Sequence, residues 1–349
     1  MKVTLVGYFG CGNLGDEAIL HSLIYQLKTS SNPDIIVLSG NPKQTSNKFK
    51  VMALNRKILS EVLAAIQMSD VVVFGGGTLF QDKTSFLSIL YYIGLVKLSR
   101  ILKKPIILHS QGVEPLNYFI SKILVKNAFN NSSCISVRDR SSKQYLLNTL
   151  KVKKQISYAV DPALIMPPLK KNNRYKNYIG INLLPMEDFP TKQLTEALLR
   201  FANLYKIKYL YIPLNDDDVL SGEKLEKELG KNIIECLPVY TILPELIGIL
   251  SQLLFMIGAR LHSLILSSAV YTPFLGLNYH EKVTSFANDV DQNTISTENL
   301  TEDLLYNFLC NLYKNNQKLR NQLKFKVEKL IALSKDSFIG NVLRKYDKT

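Results

Sequence analysis

Short apolar runs alternate with helix-like segments along most of this chain of 349 residues. Val3–Val6, Leu253–Ile257 and the valine run within Asp70–Phe74 are continuous in β-branched or apolar residues, as are strands buried on both faces of a parallel sheet. Each run leads into glycines or a charged residue, and then into a segment with helical periodicity. The alternation predicts an α/β protein with two doubly wound parallel sheets, whose domains face each other across a cleft.

The chain is long enough for two domains of ordinary size. The polar and basic stretch Lys170–Tyr178 is the best linker candidate, because it separates two series of strands and helices. We therefore expect an N-terminal domain over residues 1–168, which carries the glycine-rich loops, and a C-terminal domain over residues 178–298. Residues 299–349 are predicted to form a basic helical tail.

Half of the net charge of +14 lies in the C-terminal part of that tail. From Tyr313 to Thr349 the chain has ten Lys or Arg and three Asp or Glu, a net charge of +7. Clustered basic residues attract nucleic acids, anionic membrane surfaces or acidic substrates. No nucleic-acid-binding motif is present, so we expect no nucleic-acid partner. The tail is then either a solvated helix face or a surface for peripheral membrane association.

Cysteine spacing and the lengths of apolar runs limit the compartment and the cofactors. The four cysteines stand far apart without a CxxC pair, which argues against a metal site and fits a reducing cytoplasm. The longest apolar run, Leu246–Ala259, has about 14 residues, whereas a bilayer span needs about 20. No signal-peptide pattern opens the chain. We predict a cytoplasmic protein without metal or cofactor, held at the inner face of the membrane if the tail binds there.

Two glycine-rich loops follow predicted strands of the first domain. Gly7–Gly15 leads into a helix that opens with Asp16, and its glycines let backbone amides approach a ligand. Gly75–Gly77 indicates a backbone pressed against a ligand or against the first loop. The first loop lacks the GxxxxGK[ST] spacing of a P-loop, and as a generic glycine loop it is a weak signal. Asp16 suits either a reactive carboxylate or a first-turn residue favoured by the helix dipole.

An arginine and a histidine lie within Gly258–His262, where a predicted strand meets a predicted helix. In open α/β sheets ligands bind beyond the carboxyl ends of the strands, and helix N-termini attract anions. Arg260 therefore indicates an anionic ligand, and His262 indicates proton transfer. Arg138 repeats the pattern of a cation at the end of a predicted strand.

Several stretches, taken in order, resemble the polysaccharide pyruvyl transferase family, in particular the type that acts on bacterial cell-wall polymers. The resemblance rests on GYFGCGNLGDEAIL (Gly7–Leu20), VVVFGGGTLFQD (Val71–Asp82), GARLHSLI (Gly258–Ile265) and Tyr279–Val283, with SQGVEPL (Ser110–Leu116), SVRDRSS (Ser136–Ser142) and VDPAL (Val160–Leu164). Each motif alone is weak, and the ordered set over residues 3–286 is specific. The sequence departs from the family pattern at Cys11, Leu184, Ala259 and His280–Glu281.

The resemblance implies a glycosyltransferase-B-like fold of two Rossmann-like domains. It also implies transfer of pyruvate from phosphoenolpyruvate to two hydroxyls of a sugar, which gives a cyclic ketal and phosphate. The acceptor would be a cell-surface or secondary cell-wall polysaccharide, or its lipid-linked precursor. The family's functional positions fall on Asp16, Arg138, Arg260, His262 and Lys282.

The chemistry of this reaction suits those positions. Phosphoenolpyruvate carries about three negative charges, which Arg138, Arg260 and Lys282 would balance. A proton must reach its methylene carbon, and we assign that transfer to His262, because histidine titrates near neutral pH. Asp16 would orient His262 or deprotonate the acceptor hydroxyl. The loop residues expected to add substrate contacts are Gly12, Asn13, Gly15, Gly76 and Gly77.

Two other functions fit the same architecture. A nucleotide-sugar glycosyltransferase would bind a nucleotide diphosphate in the second domain and use the glycine loops for the acceptor or a pyrophosphate. A non-catalytic sugar- or nucleotide-binding protein of the cell envelope is the third reading. The missing signal peptide and the pairing of Arg260 with His262 weigh against that third reading.

Overall fold

The chain divides into two units, each built on a parallel sheet. Unit 1 comprises Met1–Met166 and Ile331–Thr349, and unit 2 comprises Pro167–Leu330. The structure is a computed structural model, in which the described residues are 1–83, 85–167, 173–185, 189–239 and 242–346.

Unit 1 alternates strands and helices. Its elements are β1 (Lys2–Val6), α1 (Leu14–Ser30), β2 (Asp34–Ser39), α2 (Pro42–Phe49), β3 (Met52–Asn55), α3 (Leu59–Met68), β4 (Val71–Gly75), α4 (Phe86–Ile101), β5 (Ile106–Gln111), α5 (Phe119–Asn130), β6 (Cys134–Val137), α6 (Arg140–Gln144) and β7 (Ser157–Tyr158). In the part of the chain that is described, the sheet has the order β3-β2-β1-β4-β5-β6-β7 and its paired strands are parallel. The side chains of β4 from Val71 to Phe74 are at most 1% exposed, which explains the unbroken apolar run.

Unit 2 repeats this arrangement. Its elements are β8 (Tyr178–Asn182), α7 (Thr191–Tyr205), β9 (Lys208–Tyr211), α8 (Val219–Leu229), β10 (Ile234–Cys236), α9 (Leu243–Leu250), β11 (Met256–Gly258), α10 (Leu261–Ala269), β12 (Phe274–Asn278), α11 (Glu281–Asp289) and β13 (Asn293–Ser296). Over the described residues the parallel sheet has the order β10-β9-β8-β11-β12-β13. The α/β class with parallel sheets in two domains, as predicted, is confirmed.

The strand orders identify one topological switch point in each sheet. Successive strands run outward in one direction from β1 and in the other from β4, and the same holds for β8 and β11. Ligands of doubly wound proteins bind at such topological switch points, beyond the carboxyl ends of the two central strands. The two glycine loops follow β1 and β4, and Arg260 follows β11. The two glycine loops and Arg260 therefore lie at the switch points of their own sheets.

The C-terminal segment differs from the predicted separate tail over residues 299–349. It forms α12 (Glu302–Lys314), α13 (Asn316–Leu333) and α14 (Ile339–Leu343), and these helices are divided between the units. In unit 2, α12 packs on α7, where Arg200 pairs with Glu302 at 3.2 Å and with Asp303 at 2.8 Å. In unit 1, α14 packs on α1, because buried Gly340 lets the two helices approach closely. The prediction of a separate tail rested on a count of charges. Such a count does not reveal the apolar faces by which these helices pack on the two units.

Other boundaries also differ from the predictions. The strand expected at Leu253–Ile257 is β11, which begins at Met256, because the preceding residues form a turn. The division between units falls after Met166, before the predicted linker, of which residues 170–172 lie outside the described residues. Among the described residues, no helix combines the length and the apolarity that crossing a bilayer requires.

Two glycines inside helices should respond to alanine in opposite directions. A Cβ at Gly222 of α8 would lie 2.5 Å from the ring of Tyr211, so Gly222→Ala should lower the free energy of unfolding by about 1–3 kcal/mol. At Gly94 of α4 no described atom lies within 4 Å of that position, so Gly94→Ala should raise it by about 0.5–1 kcal/mol. Urea unfolding followed by circular dichroism measures both. Equal effects in the two variants would contradict this packing.

Candidate functional site

Asn13 organises the start of α1 behind the first glycine loop. Its Oδ1 accepts the backbone N–H of Gly15 at 2.9 Å and that of Asp16 at 3.2 Å, as an N-cap does. The amide of Gly10 is likewise occupied by Glu17 Oε1, at 2.8 Å. Gly12 is exposed, and no described atom lies within 4 Å of the position a Cβ would take. Gly12 is thus open to a ligand, whereas substrate contacts from Asn13 and Gly15 stay a prediction.

The glycines after β4 bring that loop against α1. Gly76 and Gly77 have φ angles of +71° and +77°, a conformation that favours glycine. A Cβ at Gly76 would lie 3.1 Å from Ile19 Cγ2, and one at Gly77 would lie 3.4 Å from Asp16 Oδ1. Of the two interpretations of the glycine triplet, these distances support close packing, which is made against helix α1 behind the first loop. Substrate contact from Gly76 and Gly77 stays a prediction.

Arg138, which follows β6, forms a nearly buried ion pair. Its Nη1 donates to Asp161 Oδ2 at 2.7 Å, and its Nη2 donates to Thr78 Oγ1 at 3.1 Å. The side chains of Arg138 and Asp161 are 9% and 3% exposed. The guanidinium lies so close to Gly112 that a Cβ there would be 2.8 Å from Nε. The charge predicted to be available to a substrate is therefore largely offset by Asp161.

Asp16 lies beside this pair and has an unusual pKa. Desolvation by the surrounding atoms, followed by the negative charge of Asp161, raises the pKa of Asp16 from 3.8 to about 7, although Arg138 opposes the shift. Part of the side chain remains accessible to solvent. A carboxyl group that titrates near neutral pH can accept or donate a proton at that pH. We call Asp16, Gly77, Thr78, Arg138 and Asp161 the Asp16 cluster.

In unit 2, a buried carboxylate fixes Arg260 between β11 and α10. The Nε atom of Arg260 donates to both oxygens of Asp218, at 2.7 and 2.8 Å, and Nη2 lies 2.6 Å from Oδ1. Nη2 also donates to Asn215 Oδ1 at 3.0 Å. Asp218 in turn accepts the N–H of Leu214 and an N–H of Asn182. We call Asn182, Asn215, Asp218 and Arg260 the Arg260 cluster.

Arg260 keeps access to solvent, although its partner does not. The side chain of Arg260 is 22% exposed and that of Asp218 is 0% exposed. Within the described residues, the hydrogen bonds of the guanidinium use Nε and Nη2 and leave Nη1 unused. A planar guanidinium held along one edge can present its other edge to an anion. Because Asp218 offsets part of the charge, a polyanion would need further cations nearby.

His262 and Lys282 lie in the first turns of neighbouring helices. His262 is the second residue of α10 and Lys282 the second of α11, and these helices follow the adjacent strands β11 and β12. His280, noted above as a departure from the family pattern, caps α11, because its Nδ1 accepts the N–H of Lys282 at 3.4 Å. Both helix N-termini favour anions. Arg260, His262 and Lys282 thus lie beyond the carboxyl ends of the two adjacent strands β11 and β12.

A polar pocket of about 660 Å³ opens at the carboxyl ends of β12 and β13. Glu281 and Glu298 are among the residues that line it. Two carboxylates disfavour a multiply charged anion and suit hydroxyl donors. A polyanion is therefore better served by Arg260 and Lys282 than by this pocket.

Sequence reasoning missed the residues that hold the two arginines in place. Asp161 lies in a stretch that was noted for its resemblance but given no role, and Asn182 is the last residue of β8. Asn215 and Asp218 stand in a run of polar residues soon after β9. A polar run after a buried strand is the signal that would have identified them, since such ends face ligands in parallel sheets.

Comparison with known proteins gives both a family and a fold. The sequence profile described as polysaccharide pyruvyl transferase matches residues 13–281. A search of curated protein sequences found no match.

Among solved structures, the UDP-GlcNAc 2-epimerase of Neisseria meningitidis bound to UDP-GlcNAc has a TM-score of 0.67 and 12% identity, over 99% of each chain. A putative UDP-N-acetylglucosamine 2-epimerase from Listeria monocytogenes has a TM-score of 0.67 and 12% identity, over 97% of this chain and 96% of that one. Anabaena HepE in complex with UDP-glucose has a TM-score of 0.60 and 10% identity, over 99% and 97%. At such identities the likeness shows the fold alone, and this fold is glycosyltransferase-B-like.

The raised pKa of Asp16 predicts a pH-dependent difference between the protein and its Asp16→Asn variant. The folded chain retains the proton up to a pH of about 7, while the unfolded chain loses it near 3.8, so the stability due to Asp16 falls as the pH rises between these values. The stability due to Asp16 can change by at most about 1.4 kcal/mol per pH unit, and partial solvent access should make the change smaller.

Urea unfolding at pH 5 and pH 7 measures this difference. The stability of the protein relative to Asp16→Asn should fall by about 1–2 kcal/mol between the two pH values. Asp34→Asn, at an exposed site where β2 begins, is the matched control and should show no such trend. A flat difference for Asp16→Asn would contradict the raised pKa.

Proposed function

The chain belongs to the polysaccharide pyruvyl transferase family, and we propose that it transfers pyruvate from phosphoenolpyruvate to two hydroxyls of a saccharide. The product is a cyclic ketal on a cell-surface or secondary cell-wall polysaccharide, or on its lipid-linked precursor, and phosphate is released. The observation that carries the proposal is the solvent-accessible guanidinium of Arg260, held by buried Asp218 at a switch point.

We assign the donor to unit 2. Phosphoenolpyruvate joins a carboxylate and a phosphate on one small skeleton, so several cationic groups must converge on it. Arg260 would bind one anionic group through its free edge, and Lys282 would act as a point charge on the other. The N-termini of α10 and α11 add favourable dipoles for the same charges.

His262 is assigned the proton that starts the reaction. Addition of that proton to the methylene carbon turns it into a methyl group and leaves a cationic centre at C2. One sugar hydroxyl attacks C2 and loses its proton, and the C–O bond to phosphate then breaks. The second hydroxyl attacks C2 and loses its proton, which closes the ketal. A histidine beside the phosphate can supply the first proton and recover one of those released.

We assign Asp16 to the acceptor. Its pKa of about 7 suits a base that removes a proton from an attacking hydroxyl near neutral pH. The negative charge of Asp161 helps to raise this pKa, although Arg138, paired with Asp161, opposes the shift. Gly12, open to a ligand in the same loop, would let the sugar approach. The reaction would take place in the cytoplasm, where phosphoenolpyruvate is formed.

A nucleotide-sugar enzyme is the second candidate function. Its support is that the solved structures of like fold include proteins bound to UDP-GlcNAc and UDP-glucose. In such an enzyme Arg260 and Lys282 would bind a diphosphate, and no phosphate would be released from phosphoenolpyruvate.

Variants of three residues test the pyruvyl transfer. Arg260→Lys preserves the pair with Asp218 but not a bidentate anion contact, so kcat/KM for phosphoenolpyruvate should fall about 10- to 100-fold. Lys282→Gln should raise KM, and His262→Asn should lower kcat by about 10²- to 10⁴-fold with a smaller change in KM. Phosphate release from phosphoenolpyruvate, with cell-envelope saccharides as acceptor, measures all three.

The matched control is Lys208→Gln. It removes one positive charge where β9 begins, at the amino ends of the strands of the same sheet. It should leave the rate unchanged. Near-normal phosphate release by Arg260→Lys and His262→Asn would refute the assignment of these residues.

A further inference from the structure

A second pocket, of about 990 Å³, opens in unit 1 between the first glycine loop, the start of α3 and one face of α4. Nothing in the reaction proposed above uses it. Its two ends differ in chemistry. Arg56 and Lys57 lie among its lining residues with Gly10 and Cys11 of the glycine loop, while five leucines of α3 and α4 line the other end. Of the described lining residues, none is acidic.

Arg56 gives the polar end a positive charge, and no ion pair of its side chain is found among the described residues. Its side chain is buried, donates to Gly7 O at 3.1 Å and to the hydroxyl of Tyr92 at 3.2 Å, and lies 4.8 Å from the ring centre of Tyr91. Within the described residues these contacts include no ion pair. Lys57, the next residue, is exposed. Two cations without a paired acid favour an anionic group at this end.

The apolar end exposes side chains that a soluble surface normally covers. Leu87 and Leu59 are 76% and 75% exposed, and Leu90 and Leu98 continue the face of α4 at helical spacing. Gly94 lies on the same face, where its missing side chain leaves open space. The groove therefore has room for an apolar chain along α4.

The pocket adjoins the place assigned to the acceptor. Gly10 and Cys11 belong to the loop that leads directly into α1 and Asp16. Arg56 is close enough for its charge to act on Asp16. A ligand with its anionic group at Arg56 would thus place the atoms beyond that group beside the glycine loop.

We propose that this pocket binds the lipid part of a lipid-linked acceptor, with a phosphate group at Arg56 and Lys57 and a long apolar chain along α4. The inference rests on the proposed function, because it identifies the acceptor's carrier. The matched cationic and apolar ends select an amphiphile of this kind over a free polysaccharide, which would bury neither leucines nor a charge. It also locates membrane contact in unit 1, independently of the basic C-terminal helices.

Binding of farnesyl diphosphate to the full chain, measured by calorimetry in saturating phosphoenolpyruvate, tests the pocket directly. Farnesyl diphosphate should bind at least about tenfold more tightly than either farnesol or inorganic pyrophosphate, because each of these fills only one end. Equal binding of pyrophosphate would overturn the proposal, because it would show a simple anion site. Equal binding of farnesol would overturn it too, because it would show a purely apolar surface.

Two variants of α4 form a matched pair. Leu87→Glu and Ile101→Glu place the same carboxylate on the same helix at positions that are 76% and 75% exposed, and only Leu87 lines the pocket. Leu87→Glu should weaken farnesyl diphosphate binding at least about tenfold, through lost apolar contact and repulsion of the phosphate, and Ile101→Glu should not. Equal effects in the pair would overturn the proposal.

Further variants separate loss of binding from loss of folding. Gly94→Leu should fill the groove and weaken binding about tenfold without lowering the melting temperature, since leucine favours the helix. Lys57→Gln should weaken binding roughly threefold to tenfold, and Lys97→Gln, on α4 outside the pocket, should not. Unchanged binding in Gly94→Leu would overturn the proposal.

The outcome is distinguishable from failure of the proposed function. If phosphate release depends on Arg260, but substitution of Leu87 or Gly94 leaves farnesyl diphosphate binding unchanged, only the pocket proposal fails. If phosphoenolpyruvate is not turned over but the α4 variants behave as expected, the donor assignment fails and the pocket stands.

Discussion

The buried carboxylate of Asp218 is the constraint on which the chemistry of unit 2 depends. A fully buried charge is costly unless it is paired and hydrogen-bonded, and Arg260, Asn182 and the backbone of Leu214 meet that requirement. The same pairing fixes the guanidinium at the end of β11, so binding an anion does not have to order a mobile side chain. Lys282 comes after β12, which pairs in parallel with β11, so Arg260 and Lys282 both lie at the carboxyl ends of neighbouring strands.

The Asp16 cluster and the Arg260 cluster differ in how much positive charge they leave accessible to a ligand. Arg138 is nearly buried and faces Asp161, with Asp139 3.8 Å away and Asp16 nearby, so the cluster in unit 1 is rich in carboxylates. The edge of unit 2 carries accessible Arg260 with Lys282 and two helix N-termini. This contrast is the basis on which we propose a proton-accepting role for unit 1 and an anion-binding role for unit 2. The amphiphilic pocket in unit 1 agrees with an acceptor there.

The sequence predicted much of the fold, because buried parallel strands leave unbroken apolar runs such as Val71–Phe74. It also indicated the strand ends at which Arg138 and Arg260 lie. It could not indicate that Asp218, 42 residues before Arg260, would neutralise part of that charge, because only the pairing of β8 with both β9 and β11 brings them together. The use of Asn13 as a helix cap, and the division of the C-terminal helices between two units, likewise depend on tertiary packing. The cleft between the domains stays a prediction.

The central claim is that the cations of unit 2 bind phosphoenolpyruvate rather than a nucleotide sugar. Titration calorimetry of the full chain with phosphoenolpyruvate, and separately with UDP-GlcNAc, tests it without knowledge of the acceptor. The account predicts saturable binding of phosphoenolpyruvate that Arg260→Lys weakens about 10- to 100-fold, and no comparable binding of UDP-GlcNAc. Saturable binding of UDP-GlcNAc that depends on Arg260, with none of phosphoenolpyruvate, would contradict it.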